Sequence, residues 1–420
     1  MLVLLACGQW VAFALATIGL MGITVLAGRP IASLGHMMFA TSTNYILCAI
    51  PLFVLMGEFF LHGGMSELLY RGISPWVRRA PGGLLLTNIA ACAVFGAMSG
   101  SSVACAATIG KVAIPEQLKR GYEPKMVLGS VAAGGTLATL IPPSNMLIIY
   151  GWLAQQSVAK LYTAAMIPGI IVAIALMICI SVQSALQPRS APKGEPVSWK
   201  ERMLTLKDLW VVGAIIFAVL GGIYVGVTTP TEGGAIGAFL GFCTVVVRRR
   251  LSWQLLKNVC LATTQTTCMI MFIMVGATLL SNAIAYLGVS AWLAEAVTGW
   301  SVPPLLLLAG IYLMYIFLGM FIDPVSMIVL TLPFVLPVII ALGYSPIWLG
   351  VVLVVLCEVA LISPPVGLNL FVIQGIAREY PSETVIRGIF PFFMVLCCVL
   401  ALFTLFPQII LWLPSLMSAK

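Results

Sequence analysis

The chain has 420 residues, of which 61% are hydrophobic and only 8% charged. Soluble domains carry about 25% charged residues, so this chain has no polar coat to turn toward water and must dissolve in lipid. Its net charge of +8 would suit a nucleic-acid partner only if its placement were ignored, and no GxxxxGK phosphate loop is present to drive an ATP-dependent pump.

Backbone polar groups must pair internally in lipid, which leaves helices or a closed barrel. Barrel strands alternate over segments of about ten residues; the apolar runs here are continuous, so the class is an all-α polytopic membrane protein. In chain order, spans are expected near 2–26 and 44–62. An interfacial helix follows at 66–80, then a segment at 83–114 that differs from a simple span. Further spans are expected at 126–154 and 162–187, a polar linker at 188–207 holding Pro188, Pro192 and Pro196, and spans at 208–227, 232–247 and 258–282. A second interfacial helix at 288–300 precedes a second unusual segment at 305–338, and spans near 347–376 and 386–414 complete the order. The first run is too long for a signal peptide and lacks a basic leader.

The segments 83–114 and 305–338 are each two apolar halves around a polar break, Ser99-Gly100-Ser101-Ser102 in one and Asp323-Pro324 in the other. A half of about fifteen residues rises about 22 Å, short of a hydrocarbon core of about 30 Å. Both are therefore read as re-entrant hairpins that enter and leave on one side. With the N-terminus in the cytoplasm, the cytoplasmic segments 63–125, 188–207, 248–257 and 377–387 hold eighteen of the 21 Lys and Arg residues. Only Arg29, Lys160 and Lys420 fall elsewhere, as the positive-inside rule requires. This orientation puts Lys193 in the cytoplasm and Thr229 and Ser301 outside.

Positions offset by 222 match: Pro115, Gly121, Tyr122, Pro124, Pro142 and Pro143 align with Pro337, Gly343, Tyr344, Pro346, Pro364 and Pro365. The chain thus divides into a first repeat (1–187), the linker (188–207), a connecting span (208–227) and a second repeat (228–420). The single connecting span makes the second repeat inverted relative to the first, the arrangement that marks secondary transporters and points to a site at the midplane.

Each half carries a Pro-Pro pair inside a long span, Pro142-Pro143 followed by Ser144-Asn145, and Ser363-Pro364-Pro365 followed by Val366-Gly367. Two prolines remove two helix donors, and the residue before a proline leaves the helical region. The span breaks there, either as a bare kink or as a place where carbonyls and hydroxyls meet a small cation and half-helix N-termini meet an anion. Charged residues inside spans are costly and commonly functional: Asp323 lies at the second tip, Glu358 faces the same cavity or pairs with a structural donor, and Glu58 reaches the cytoplasmic interface. Glu232 is explained by a helix start capped by Thr231. The eleven cysteines form no CxxC pair and read as small apolar residues, while His36 and His62 cannot build a metal site alone. No catalytic cluster is present, so the chain is not an enzyme.

At these residues the sequence resembles the large membrane subunit of tripartite ATP-independent periplasmic (TRAP) transporters, the DctM type. The matching stretches are Ala49–Glu58, Ser99–Ala104, Arg120–Pro124, Ile141–Asn145, Thr229–Gly237, Leu318–Pro324 and Pro364–Phe371, in the family's order. The resemblance implies a sodium-coupled importer of the bacterial inner membrane that works by an elevator motion, with no cofactor besides sodium as coupling ion. It implies a small membrane subunit, here a separate chain, and a periplasmic substrate-binding protein as partners, with a small organic anion of the carboxylate class as substrate. It also implies sodium sites where each tip meets its break: Ser99, Ser101, Ser102, Gly135 and Pro142 in the first half, and Gly319, Asp323, Ser363, Pro365 and Gly367 in the second. The substrate cavity would lie between Ser99, Ser144, Asn145, Asp323 and Asn369. Cys105 stands where the family commonly has an acidic residue, and Cys357-Glu358 where it has uncharged ones. The rival within transport is a stand-alone ion-coupled carboxylate carrier of the wider ion-transporter class.

Overall fold

In the computed structural model, residue 4 and residues 7–192, 198–299, 302–365 and 367–417 are described. The expectations for Lys193, Pro196, Ser301, Val366 and Lys420 lie outside them. Every described element is helical. Among the described residues five helices are long and apolar enough to cross a membrane, and up to eight if each bent pair counts once. Their outer faces are apolar, with Ile178, Phe217, Leu313 and Phe390 exposed, as a bilayer demands.

Helix α1 (Val11–Met21) runs through a π turn to Leu26, shorter than the expected span. Residues 32–42, which lie between the spans expected at 2–26 and 44–62, form α2 (Ala32–Ser42), near whose end Thr41, Ser42 and Thr43 bond carbonyls one turn back. It meets the next helix at a 48° bend. There follow α3 (Ala49–His62), α4 (Met65–Val77), α5 (Leu84–Ser99), α6 (Ser102–Lys119), α7 (Pro124–Leu140), α8 (Asn145–Leu153) and α9 (Val158–Leu186). Helix α10 (Trp199–Ile216) continues to Val225 and starts inside the expected linker, because Ser198 caps it through the Glu201 amide.

The second half contains α11 (Pro230–Val247), α12 (Trp253–Tyr286), α13 (Val289–Gly299), α14 (Pro304–Gly319), α15 (Pro324–Ala341), α16 (Pro346–Leu361), α17 (Leu368–Ile376), α18 (Ser382–Leu405) and α19 (Gln408–Met417). The start of α11 corrects the expected Thr231 cap. Thr229 is the cap, receiving the Glu232 amide at 3.2 Å while Glu232 accepts the Thr229 amide at 2.7 Å. Pro230 at the first helical position fixes the boundary one pair earlier. The expected span to 414 divides at Pro407, which cannot continue α18.

Helix limits recur at the offset of 222: α6 Ser102–Lys119 falls on α15 Pro324–Ala341, and the bent pair α2–α3 falls on the single 34-residue α12. Packing is exchanged in the same way. Helix α1 packs on α12 and α11 on α3; α17 packs on α6 and α15 on α8; α18 packs on α7 and α9 on α16. Such reciprocity is what a pseudo-two-fold axis produces. Two packed groups result: α1, α2, α3, α11 and α12 around each other, and the hairpins with the broken spans, α9 and α18, around α7 and α16.

The base of the first hairpin is held by a buried polar clasp. Gln117 Nε2 faces Asn88 Oδ1 at 2.6 Å, Tyr70 Oη at 2.8 Å and Leu84 O at 3.0 Å, while Asn88 Nδ2 donates to Ser130 Oγ at 2.9 Å. The clasp ties α4, α5, α6 and α7 together. At the offset positions of the second half stand Trp292, Gly310, Ile339 and Val352, none of which can form it.

Candidate functional site at the hairpin tips

At the first tip α5 ends on Gly100, whose φ of +59° turns the chain, and Ser101 caps α6 by accepting the Ala104 amide at 3.4 Å. A side chain at Gly100 would meet Pro143 O and the Asn145 amide at 3.2 and 3.4 Å, so the tip lies directly on the first Pro-Pro break. The break forms as its residues dictate: Ile141, preceding Pro142, is extended, Pro142–Pro143 is cis, and Ser144 caps α8 through the Leu147 amide. Ser144 Oγ also donates to Thr139 O.

A cavity of about 60 Å³ opens where tip and break meet, lined by Glu58, Ser99, Ser101, Asn145 and Thr266 among others. Ser99 Oγ and Asn145 Oδ1 are buried there without a hydrogen-bond partner. Unpaired buried oxygens cost about 1–3 kcal/mol each, so two at one point fit a site that gathers oxygen donors for an ion. The volume is far below the roughly 300 Å³ at which organic ligand pockets begin. Glu58, expected to reach the interface, instead lines this cavity from α3; its carboxylate also lies 3.4 Å from His62 Nδ1. Its placement depends on how α3 packs on the tip, which spacing along one span does not reveal.

Ser102 is turned the other way. Its Oγ lies 2.8 Å from Asn369 Nδ2 and 3.0 Å from Asn369 Oδ1, and Asn369 also donates to Ala132 O at 3.0 Å. The first tip therefore touches both breaks, and Asn369 is fully engaged in joining them. Gly135 and Gly319 serve close helix approach: a methyl on Gly135 would lie 2.7 Å from Ala106 Cβ, and one on Gly319 would lie 2.1 Å from Ala360 Cβ. Pro142 is buried within the break.

The second tip is built differently. Asp323 caps α15 by accepting the Ser326 amide at 3.0 Å. It lies on a groove of about 670 Å³ whose other walls are α1 and α12, with Gln265 and Ser326 on its polar edge. Ser363 Oγ is spent on Val359 O at 2.7 Å, Pro365 is exposed, and Gly367 is buried at a φ of +46°. The residues expected to enclose one substrate cavity are thus distributed: Ser99 and Asn145 at the ion-sized cavity, Asp323 on the groove, and Ser144 and Asn369 in bonds of their own. Glu358 is fully buried on α16 and, among the described residues, neither of its carboxylate oxygens has a hydrogen-bond partner.

Sequence reasoning missed a run on α12, Thr263-Thr264-Gln265-Thr266-Thr267. Its signal was available as five consecutive polar residues inside an apolar helix.

Paired hairpins and broken spans in an all-helical chain of this hydropathy define a polytopic membrane transporter. The comparisons name its family. Residues 1–409 match the family model described as the tripartite ATP-independent periplasmic transporter, DctM component, and the chain belongs to that family. It is 34% identical over 404 residues to the C4-dicarboxylate TRAP transporter large permease protein DctM of Pseudomonas aeruginosa, covering 95% of this chain and 94% of that protein. It is 31% identical to the sialic acid TRAP transporter large permease protein SiaM of Vibrio cholerae, covering 98% and 96%. It is also 31% identical to the isethionate TRAP transporter permease protein DctMQ of Oleidesulfovibrio alaskensis, covering 96% of this chain and 64% of that longer protein. Among solved structures the fold is similar to the YdaH transporter of Alcanivorax borkumensis, with a TM-score of 0.65 at 16% identity, covering 96% of this chain and 98% of that one.

Proposed function

We propose that the chain imports a small organic anion, with sodium as the coupling ion, as the large permease of a three-part system. A small membrane subunit and a periplasmic binding protein that delivers the substrate complete it. The substrates in the relatives' names, C4-dicarboxylate, sialic acid and isethionate, differ in size but share an anionic group, and that shared chemistry supports the anion class. The observation that carries sodium coupling is the pair of orphaned buried oxygens, Ser99 Oγ and Asn145 Oδ1, beside Glu58 in a cavity of about 60 Å³. Hydroxyl, amide and carboxylate oxygens are hard donors suited to a small hard cation. The separation into two packed groups supports an elevator motion, in which the hairpins and broken spans slide against α1, α3, α11 and α12. The reciprocal packing supports two inverted repeats in the inner membrane.

The test is uptake into proteoliposomes under a sodium gradient. Import that needs the small subunit, a loaded binding protein and sodium together is the expected result. Full uptake by the isolated chain would favour the stand-alone carrier, and uptake in sodium-free buffer at the same rate would overturn sodium coupling.

A further inference from the structure

The polar run on α12 faces both tips at once. Thr266 lines the cavity at the first tip, and Gln265, one residue earlier, lines the groove at the second. Consecutive helical residues point about 100° apart, so one short stretch of one helix serves two sites. The stretch lies within a 34-residue helix that is otherwise largely apolar. Thr263 and Thr267 hold buried hydroxyls without partners, and across the groove so does Ser326, which is fully buried. An amide facing hydrocarbon without a hydrogen bond costs several kcal/mol, so Gln265 belongs against water or a polar ligand.

The groove of about 670 Å³ is of the size that takes a small organic molecule, since such pockets span about 300–1,000 Å³. Among the described residues its lining includes no Lys or Arg, and the one charged side chain there is Asp323. An anion beside that carboxylate is repelled until a cation lies between them, so neutral donors such as the Gln265 amide are the groups left to orient it. We propose that Gln265 is a substrate-positioning residue on the α12 wall, donating its amide N–H to an oxygen of the transported anion opposite Ser326. This rests on the transport reading above.

The experiment is modification of single cysteines by 2-sulfonatoethyl methanethiosulfonate, itself a small organic anion, in a chain freed of its eleven native cysteines and assembled with the small subunit. A thiolate, which forms in water and not in hydrocarbon, attacks the reagent's sulfenyl sulfur to give a mixed disulfide and releases methanesulfinate, so Gln265→Cys should react at least about tenfold faster than Ile174→Cys. Ile174 lies on the outer face of α9 and is 50% exposed. Met269→Cys, one turn further along the same groove wall, is the second reporter should the first variant fail to assemble. Reaction at the Ile174→Cys rate overturns the proposal. So does reaction that occurs in the chain alone and is blocked by the small subunit, which would assign Gln265 to the subunit interface. Import is measured on the cysteine-free chain that keeps Gln265: failure there with labelling of Gln265→Cys fails the transport reading alone, while import there without labelling of Gln265→Cys fails this proposal alone.

Discussion

Asn369 Nδ2 lies 2.8 Å from Ser102 Oγ, a bond that joins the second Pro-Pro break to the first hairpin tip across 267 positions of sequence. It separates two serines that look equivalent in the tip. Ser102 is committed to structure, whereas Ser99 has an oxygen to give. Ser102→Ala and Asn369→Leu should each lower thermal stability in detergent, by about 1–3 kcal/mol for each buried group left unpaired. For Ser102→Ala, the sodium concentration for half-maximal uptake should stay close to wild type. A large sodium shift in that variant would return Ser102 to the ion site.

Ser99→Ala should behave oppositely. Removing an unpaired hydroxyl leaves no protein partner stranded, so folding should be unharmed or slightly improved. Loss of one ion-ligand hydrogen-bond equivalent, about 1–2 kcal/mol, corresponds to roughly a five- to thirtyfold rise in the sodium requirement. Sodium titration of uptake or of thermal stabilisation reads it.

Glu58→Gln tests whether the carboxylate lining the first cavity contributes charge. A cation there loses a formal counter-charge while an oxygen donor remains, so the sodium requirement should rise by about tenfold or less and lithium should not substitute better than sodium. A sodium titration curve superimposable on wild type would confine Glu58 to its pairing with His62.

Glu358 is buried with both oxygens unsatisfied. A buried polar group with no hydrogen-bond partner costs about 1–3 kcal/mol, more when charged, and an apolar residue of similar size carries no such cost. Glu358→Leu should therefore melt no lower than wild type in detergent. If uptake falls in the same variant, the acid is kept for transport; a lower melting temperature would mean a partner the fold does not reveal.

Orientation is open to labelling from outside intact cells. Val227, 77% exposed beside the Thr229 cap, should react as a single cysteine with an impermeant reagent, and Lys257→Cys should not. The reverse pattern would invert the proposed topology.

Much of the helix order could be read from residues because its causes are local. Pro142 and Pro364 break spans wherever they stand, whereas Ser198 and Thr229 cap helices that begin ahead of the spans expected at 208–227 and 232–247. Helix α2 was missed because Gly35, His36 and the threonines weaken the apolar signal. The roles of Asn369, Gln117 and Glu58 depend on partners 29 or more positions away, which periodicity cannot supply. Gly135 and Gly319, taken as ion ligands by resemblance, occupy places where two helices leave no room for a methyl group.

The clasp of Gln117, Asn88, Tyr70 and Ser130 has a mechanical consequence. Prising the first hairpin from α7 and α4 would break the Asn88–Ser130 and Gln117–Tyr70 bonds in a dry interior, at about 1–3 kcal/mol for each group left unpaired. At the matching positions the second hairpin carries Gly310 and Ile339, and α16 carries Val352. The side-chain bonds of that hairpin lie elsewhere, Tyr315 with Thr331 inside it, Tyr312 Oη with Thr404 Oγ1 on α18 at 2.8 Å and Ser290 Oγ to Pro333 O at 3.4 Å. Among the described residues the first door is bolted to its own broken span and the second is not, so a substrate that must slip past a hairpin would pass the second. Spin labels across α15 and α16 should then report a broader spread of distances than labels across α6 and α7.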